Sequence, residues 1–190
     1  RRDTGSEGER EARRRAENEG FDPGERVGGG RATAYTQGTL LFAHAEPVAD
    51  PRGGLDDRYE RTLGAIQRAL SELDVDARRG EPPDAFCPGT HSLQATGKLV
   101  GLAQRVRQDA ALVAGVLTVR DHAALAEVLD PVYEALGVPF DPGSVGSLAR
   151  ADGETDRAVV RRTVERGLVG AETPQVRTVG EWEATPPDEA

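Results

Sequence analysis

Leu93-Gln94-Ala95-Thr96-Gly97-Lys98-Leu99-Val100-Gly101-Leu102-Ala103-Gln104 reads as two short strands joined at a Thr-Gly turn, a hairpin with its second strand opening on a lysine. Alternation places Lys98 and Val100 on one face of that strand, while Gly101 and Ala103 keep the neighbourhood open. Lys98 is the only lysine among 24 basic residues. A chain that otherwise uses arginine for its cations points to a position needing a compact ammonium, which a planar guanidinium does not copy. The plainer alternative is a solvated lysine that escaped a compositional bias. On a strand, such a lysine can reach a carboxylate and a phosphate together.

Upstream of the hairpin, Gly80 to Gly89 is a proline-rich loop carrying Cys87, the one cysteine. Before it, Leu55, Tyr59, Leu63, Ile66, Leu70 and Leu73 recur at steps of three and four, which predicts an amphipathic helix of about five turns covering a sheet face. Asp50 to Gly54 is a loop. Thr39 to Ala45 reads as a buried strand fed by the glycines that begin near Glu25. Glu7 to Glu19, dense in Glu, Arg and Ala, predicts a solvated helix stopped by Gly20. Downstream, Ala111 to Val119 is a further strand. Asp121 can cap a helix with Leu125, Val128, Leu129, Val132, Tyr133 and Leu136 on one face, with Pro131 a candidate break at Asp130 and Gly137 a stop. Thr155 to Gly167 predicts a last helix. This order favours a mixed α/β or α+β layer fold.

The chain has 190 residues, suited to one sizeable core, and its 37% apolar content is lean but compatible with folding. The net charge of −9 argues against a general nucleic-acid binder, which needs a positive stripe. Acidity with an arginine bias resembles a halophilic composition and implies a well hydrated, self-repelling surface. One cysteine excludes an internal disulfide framework and fits a reducing, cytoplasmic setting. No run approaches a membrane span and no secretory signal is visible. The chain contains no methionine and begins at Arg1, so the natural start is expected to be missing. The tail from Ala171 to Ala190 is expected to be loose and acidic.

The second chemical segment is Glu25-Arg26-Val27-Gly28-Gly29-Gly30-Arg31-Ala32. Three glycines in a row remove every Cβ from a stretch of backbone, so an anion or an extended acyl chain can lie against the peptide groups; an ordinary flexible turn is the alternative. It is neither a Walker A loop nor a dinucleotide fingerprint. His44, His91 and His122 match no zinc signature, so no metal site is expected. Asp56-Asp57 begins the amphipathic helix, where acids suit the positive end of the dipole. Arg105 and Arg107 flank Val106 and face either a phosphate, an acidic carrier or solvent.

Arg26 through Phe42, followed by Gly97 through Gln104, resembles the two signature blocks of the lipoate–protein ligase family, a member of the biotin/lipoate ligase catalytic-domain superfamily. The family's Arg-x-Ser/Thr-Gly-Gly-Gly-Ala-Val-Phe-His block is matched by Arg26-Val27-Gly28-Gly29-Gly30-Arg31-Ala32-Thr33-Ala34-Tyr35. Its Lys-Ile/Val-x-Gly-x-Ala block is matched by Lys98-Leu99-Val100-Gly101-Leu102-Ala103. The likeness runs from about Arg1 to Leu148, with Arg1-Arg2-Asp3 similar to the end of a preceding family segment. It implies an α+β fold, a mainly antiparallel sheet packed with helices. Residues 1–170 would form the catalytic domain, short of its first strands, and 171–190 the tail.

The resemblance further implies a two-step reaction using ATP with Mg²⁺ on its phosphates. Lipoate or octanoate becomes an acyl-adenylate, and the acyl group then passes to a lysine on the lipoyl carrier domain of a 2-oxoacid dehydrogenase or of the glycine cleavage system. Lys98 would contact the acyl carbonyl and phosphate. Arg26, Gly28, Gly29, Gly30, Arg31 and Tyr35 would line the adenylate and acyl channel, and Gly101 and Ala103 would permit close packing of ligand. Departures lie at Arg31, which replaces a family glycine, at Tyr35 in place of a histidine, and at Ala114 where many members have His-Gly. They keep open an ATP-independent lipoyl or octanoyl transferase working through a cysteine thioester, with Cys87 as nucleophile, although a small buried or loop cysteine is the commoner reading and Cys87 does not fall at the nucleophile position of relatives. The region after Phe140 offers Ser144 and Ser147 rather than the Pro-Cys-Gly of octanoyltransferases. A non-catalytic acyl- or carrier-binding homologue is the remaining reading. The short chain after Gly170 suggests that a separate protein supplies an accessory domain.

Overall fold

A computed structural model describes residues 7–25, 30–50 and 53–170. The elements run α1 (Glu7–Asn18), β1 (Thr39–Pro47), α2 (Leu55–Glu72), β2 (Arg78–Arg79), β3 (Ser92–Gln94), β4 (Lys98–Val106), β5 (Ala110–Thr118), α3 (His122–Ala135) and α4 (Arg157–Val169), with 3₁₀ turns at Pro142–Ser144 and Ala149–Ala151. The strands form one sheet in the order β1-β5-β4-β3-β2, every pair antiparallel. The fold is α+β. Among the described residues no helix is long and apolar enough to cross a membrane.

The periodicity of α2 decides which sheet face is closed. Leu63, Ile66, Leu70 and Leu73 are buried against Leu93, Val100 and Leu117, with Leu40, Phe42 and Leu102 packed around them. Val160 and Val164 of α4 join the same core. The two helices approach closely at Gly167, where a Cβ would stand 3.3 Å from the Ala65 carbonyl oxygen. Gly115 is required for a similar reason: a Cβ there would lie 2.2 Å from Phe42 Cζ and 2.6 Å from Leu102 Cδ2, so its absence lets the Phe42 ring cross the middle of β5.

The opposite parity faces away from α2 and α4. Register sets Ala43 beside Ala114 and Ala114 beside Ala103, and in the next row Leu41 beside Val116, Val116 beside Gly101 and Gly101 beside Ser92. Leu41 is 60% and Leu112 40% exposed. β1 is thus an edge strand with alternating exposure, not the buried strand its apolar run suggests.

Three further expectations change. Helix α1 is docked rather than solvated: Ala12 is buried with Val128, Leu129, Val132 and Tyr133 of α3. Gly8 allows the approach, since a Cβ there would lie 2.7 Å from the Ala135 carbonyl oxygen, and Arg15 pairs with Glu134 and donates to the Pro131 carbonyl at 3.2 Å. Pro131 does not end α3, which runs on to Ala135. Burial of Val128, Leu129, Val132 and Tyr133 on both sides of the proline outweighs one lost N–H bond. Gly137, at φ +64°, follows the helix end as expected. The last helix starts at Arg157 because the Asp156 side chain accepts from the N–H groups of Ala158 and Val159.

Candidate functional site

The β3–β4 hairpin turns at Gly97, whose φ of +128° suits glycine. A Cβ on Gly97 would also stand 2.6 Å from Gly146 N, because the segment after the first 3₁₀ turn runs alongside Lys98: Val145 bridges it in parallel, and Gly146 N–H donates to the Lys98 carbonyl at 3.0 Å. The pairing jumps from Leu93 with Val100 to Gln94 with Lys98. Leu99 is therefore an extra residue, a bulge that reverses the parity of what precedes it. Lys98 consequently does not share the face of Val100. It lies over Gly101, where a Cβ would be 3.4 Å from Lys98 Cε and 3.8 Å from Nζ. Sequence alternation missed this because a bulge leaves no mark in it, although the small residue at 101 is what makes room.

Lys98 is 2% exposed, and all three of its ammonium protons are used. Nζ donates to Glu81 Oε2 at 2.7 Å, to the Phe86 carbonyl at 3.0 Å and to the Cys87 carbonyl at 2.8 Å, and lies 5.2 Å from the centre of the Phe86 ring. Full coordination with a carboxylate partner is what allows an ammonium to be buried here. The Glu81 carboxylate also accepts from Ser92 Oγ and from Gly89 N–H, both at 2.9 Å. It thereby closes the loop from 81 to 89 onto the hairpin. No sequence pattern singled out Glu81, since a lone acid in a proline-rich loop has no periodic signature.

Cys87 is held at both ends of its peptide. Its carbonyl accepts from Lys98, and its N–H donates to the Tyr133 hydroxyl at 2.5 Å. The Tyr133 hydroxyl in turn donates to the Ala32 carbonyl at 2.9 Å. Cys87 has φ +42°, a left-handed conformation that costs a non-glycine residue about 1–3 kcal/mol and persists only when neighbours enforce it. The thiol is half-buried. Tyr133 was readable in sequence only as one more apolar position on α3.

The expected glycine block divides. Arg26, Gly28 and Gly29 lie outside the described residues, as do Arg1–Asp3 and the tail 171–190. Gly30, at φ +103°, and Arg31 begin the described part of the block; Ala32 and Ala34, like Phe86, pack against the α3 cluster, and Tyr35 is 37% exposed. The block and the lysine hairpin are therefore joined through Tyr133. Ala103 and Ala114 are neighbours on the open face.

Other candidates lie apart from the lysine. His44 lines a groove of about 330 Å³ with Arg58 and Arg68 on the α2 side, and His91 stacks on Tyr59 with centroids 3.6 Å apart. Burial pushes the Tyr59 phenol above its usual value, against a smaller opposing hydrogen bond at the Gln104 backbone. His122 Nδ1 is 3.0 Å from Ser147 Oγ, which also accepts from Arg150 N–H. Ser144 is buried, and its Oγ has no hydrogen-bond partner among the described residues. Asp56, Asp57, Arg105 and Arg107 are exposed. Among the described residues no group of three His, Cys, Asp or Glu is placed to hold a metal ion.

Residues 3–155 match the family model described as the lipoyl protein ligase A/B catalytic domain. The chain belongs to that family. Its fold is that of solved lipoate ligases. A lipoate protein ligase from T. acidophilum with bound lipoic acid aligns at TM-score 0.64 and 22% identity, covering 80% of this chain and 58% of that one. Lipoate-protein ligase A bound with ATP aligns at TM-score 0.64 and 24% identity, covering 80% and 59%. The bi-partite archaeal ligase from Thermoplasma acidophilum, described with its E2 lipoyl domain, aligns at TM-score 0.66 and 18% identity, covering 90% and 67%. The chain thus spans 58–59% of the length of the first two. A sequence comparison with curated proteins yields no match.

Proposed function

We propose that the chain transfers a lipoyl-type acyl group, from lipoate or octanoate, to a lysine of a lipoyl carrier domain after activating it with ATP. The observation that carries this reading is the Lys98 ammonium, buried beside Gly101 where the open, small-residue sheet face begins. A row of small apolar residues leading to a buried ammonium suits an acyl chain ending in a carboxylate. In the first half reaction the carboxylate oxygen attacks the α-phosphorus and pyrophosphate leaves. In the second, the carrier amine attacks the acyl carbon, AMP leaves and the amine gives up a proton. Lys98 would stabilise the charge developing on oxygen in both steps, exchanging one loop carbonyl for a ligand oxygen. Arg26, Gly28, Gly29, Gly30, Arg31 and Tyr35 would line the acyl-adenylate, with Ala103 against the acyl chain. Mg²⁺ would arrive with ATP on its phosphates.

The lipoic acid and ATP bound by the ligase neighbours support lipoate and ATP as substrates, and the bi-partite neighbour supports a lipoyl-domain partner and a separate accessory protein. Residues 1–170 would act as the catalytic domain, and the reaction would run in the cytoplasm at high salt.

One observation favours a second route. Cys87 is fixed at both its N–H and its C=O beside the same ammonium, a hold that suits a nucleophile. In that route the thiol attacks an acyl thioester and the donor thiol leaves with the proton. The carrier amine then attacks the Cys87 thioester and frees the thiol.

Lipoate-dependent ATP–pyrophosphate exchange, alongside mass spectrometry for an acyl adduct on Cys87, separates the routes. Exchange that survives Cys87→Ser supports the ligase. An adduct formed from an octanoyl thioester without ATP supports the transferase. Lipoate binding with neither outcome leaves an acyl-binding homologue and overturns both.

A further inference from the structure

At the Tyr133 hydroxyl three segments distant in sequence converge. It donates to the Ala32 carbonyl, two residues beyond Gly30, at 2.9 Å and accepts from the Cys87 N–H at 2.5 Å, while its own backbone belongs to α3. Tyr133 is 1% exposed, with its ring tilted against Phe140 at 5.0 Å. Both bonds of the hydroxyl go to main-chain groups, so what it fixes is backbone spacing rather than a side-chain rotamer. At the other end of the same residue, the Cys87 carbonyl is gripped by Lys98 Nζ at 2.8 Å. A continuous path therefore runs from the Ala32 carbonyl through Tyr133 and the Cys87 peptide to the ammonium. Helix α3 is a rigid base for it, because Val128, Leu129 and Val132 on the same helix are buried, with α1 packed against them.

We propose that Tyr133 is a positioning residue: its hydroxyl sets the distance between the glycine-rich block, which would carry the acyl-adenylate, and the Cys87 loop that holds Lys98. The inference rests on the proposed function for its ligand, but the hold on Cys87 is independent of it. Without the hydroxyl, the Cys87 N–H loses its acceptor, one of the bonds that enforce the residue's left-handed backbone. The two halves of the site would then drift against each other although each still binds its part. Misplacement of this kind lowers turnover more than binding.

The test uses Tyr133→Phe, which keeps the ring against Phe140 and removes both bonds, with Phe140→Leu as a packing control that leaves the hydroxyl in place. In Tyr133→Phe, kcat for acyl transfer to the carrier falls between about tenfold and a hundredfold with KM for lipoate within about twofold. Phe140→Leu does not reproduce this split. Since Cys87 is the only cysteine, iodoacetamide alkylation followed by mass reports on its loop alone. Its rate rises about fivefold or more in Tyr133→Phe as the loop opens locally, and lipoate alters the rate in the wild type but not in the variant. An unchanged kcat in a folded Tyr133→Phe protein overturns the proposal, as does a loss that Phe140→Leu matches in proportion to a lowered melting temperature. A wild-type chain with neither pyrophosphate exchange nor acyl capture defeats the proposed function instead. The alkylation rates without ligand then decide the inference: a rise supports the hold on Cys87, and equal rates overturn it.

Discussion

The two faces of the sheet use the same strands for different ends. On one, Leu40, Phe42, Leu93, Val100, Leu102 and Leu117 pack against α2 and α4. On the other, the row Ala43–Ala114–Ala103 lies beside Leu41–Val116–Gly101–Ser92, with Leu41 left 60% exposed and Lys98 closing the Gly101 end. Large side chains face the helices, whereas the outward rows are built mostly of small residues, with Leu41 and Leu112 exposed at their margin. Under the proposed function, parity along the strands divides stability from chemistry, except at Leu99, where the bulge carries Lys98 to the opposite face from Val100. Substitutions on the two faces should separate in the same way.

The largest effect is expected at the junction. Lys98→Ala and Lys98→Arg both remove the compact ammonium, and acyl transfer should fall by about a hundredfold to a thousandfold in each. Lys98→Ala also leaves the Glu81 carboxylate without its closest cation, so its melting temperature should drop as well. Lys98→Arg with near-normal transfer would show that charge alone suffices at this position and would break the comparison, because the room provided by Gly101 would then have no chemical purpose.

Next comes the covered face. Ile66 is fully buried between α2 and the sheet, and Ile66→Ala should cost about 2–5 kcal/mol, read as a lowered urea midpoint at unchanged slope. Activity per folded molecule should hold. A variant of normal stability but poor turnover would mean that the helix layer contributes to chemistry directly.

How far these roles were legible in sequence follows from the range of the signals. The α2 stripe is a local periodic pattern, and the helix formed at Leu55–Glu72 with Leu63, Ile66 and Leu70 inward, although Leu55 at its start is 47% exposed. The hairpin and the glycine stop at Gly137 were legible for the same reason, since each is decided within a few residues. Lys98 stood out through composition. Its orientation did not, because a bulge depends on pairing with β3 rather than on β4 alone. Glu81 and Tyr133 act through contacts 17 and 46 or more residues away in sequence, and no local pattern carries such information. Helix α1 looked solvated because its burial rests on Ala12 and on the close approach at Gly8, both too small to draw an apolar stripe.

On the open face the expected effect is on substrate and not on fold. Ala103 lies next to Ala114 and two residues beyond Gly101. Ala103→Leu would fill the row with a branched side chain, and being partly solvated it should change stability by no more than about 0.5 kcal/mol. KM for lipoate should rise by about tenfold or more, the scale of a few misplaced methylenes in an apolar site. Equal KM values for wild type and variant would place the acyl chain elsewhere, along the segment from Gly30 to Tyr35.

The smallest effect belongs to the cap of α4, far from Lys98, and it tests whether the covered face answers to pH in its own right. The N–H groups of Val159 and then Ala158 hold the Asp156 carboxyl below its ordinary value of 3.8, outweighing desolvation, with Arg162 adding a still weaker attraction. A carboxyl lowered on folding stabilises the folded chain above the unfolded value, and that contribution is lost as pH falls through the lower, folded one. Asp156→Ala should therefore melt slightly below the wild type at pH 7, and the gap should close as the pH is taken from 3.8 downward. Acyl transfer at pH 7 should be unaffected, because α4 meets only the helix side of the sheet. A melting gap that stays constant through acid would assign the cap to helix propensity instead of charge. A loss of transfer at neutral pH would mean that α4 reaches across the sheet, and the separation of the two faces would no longer hold.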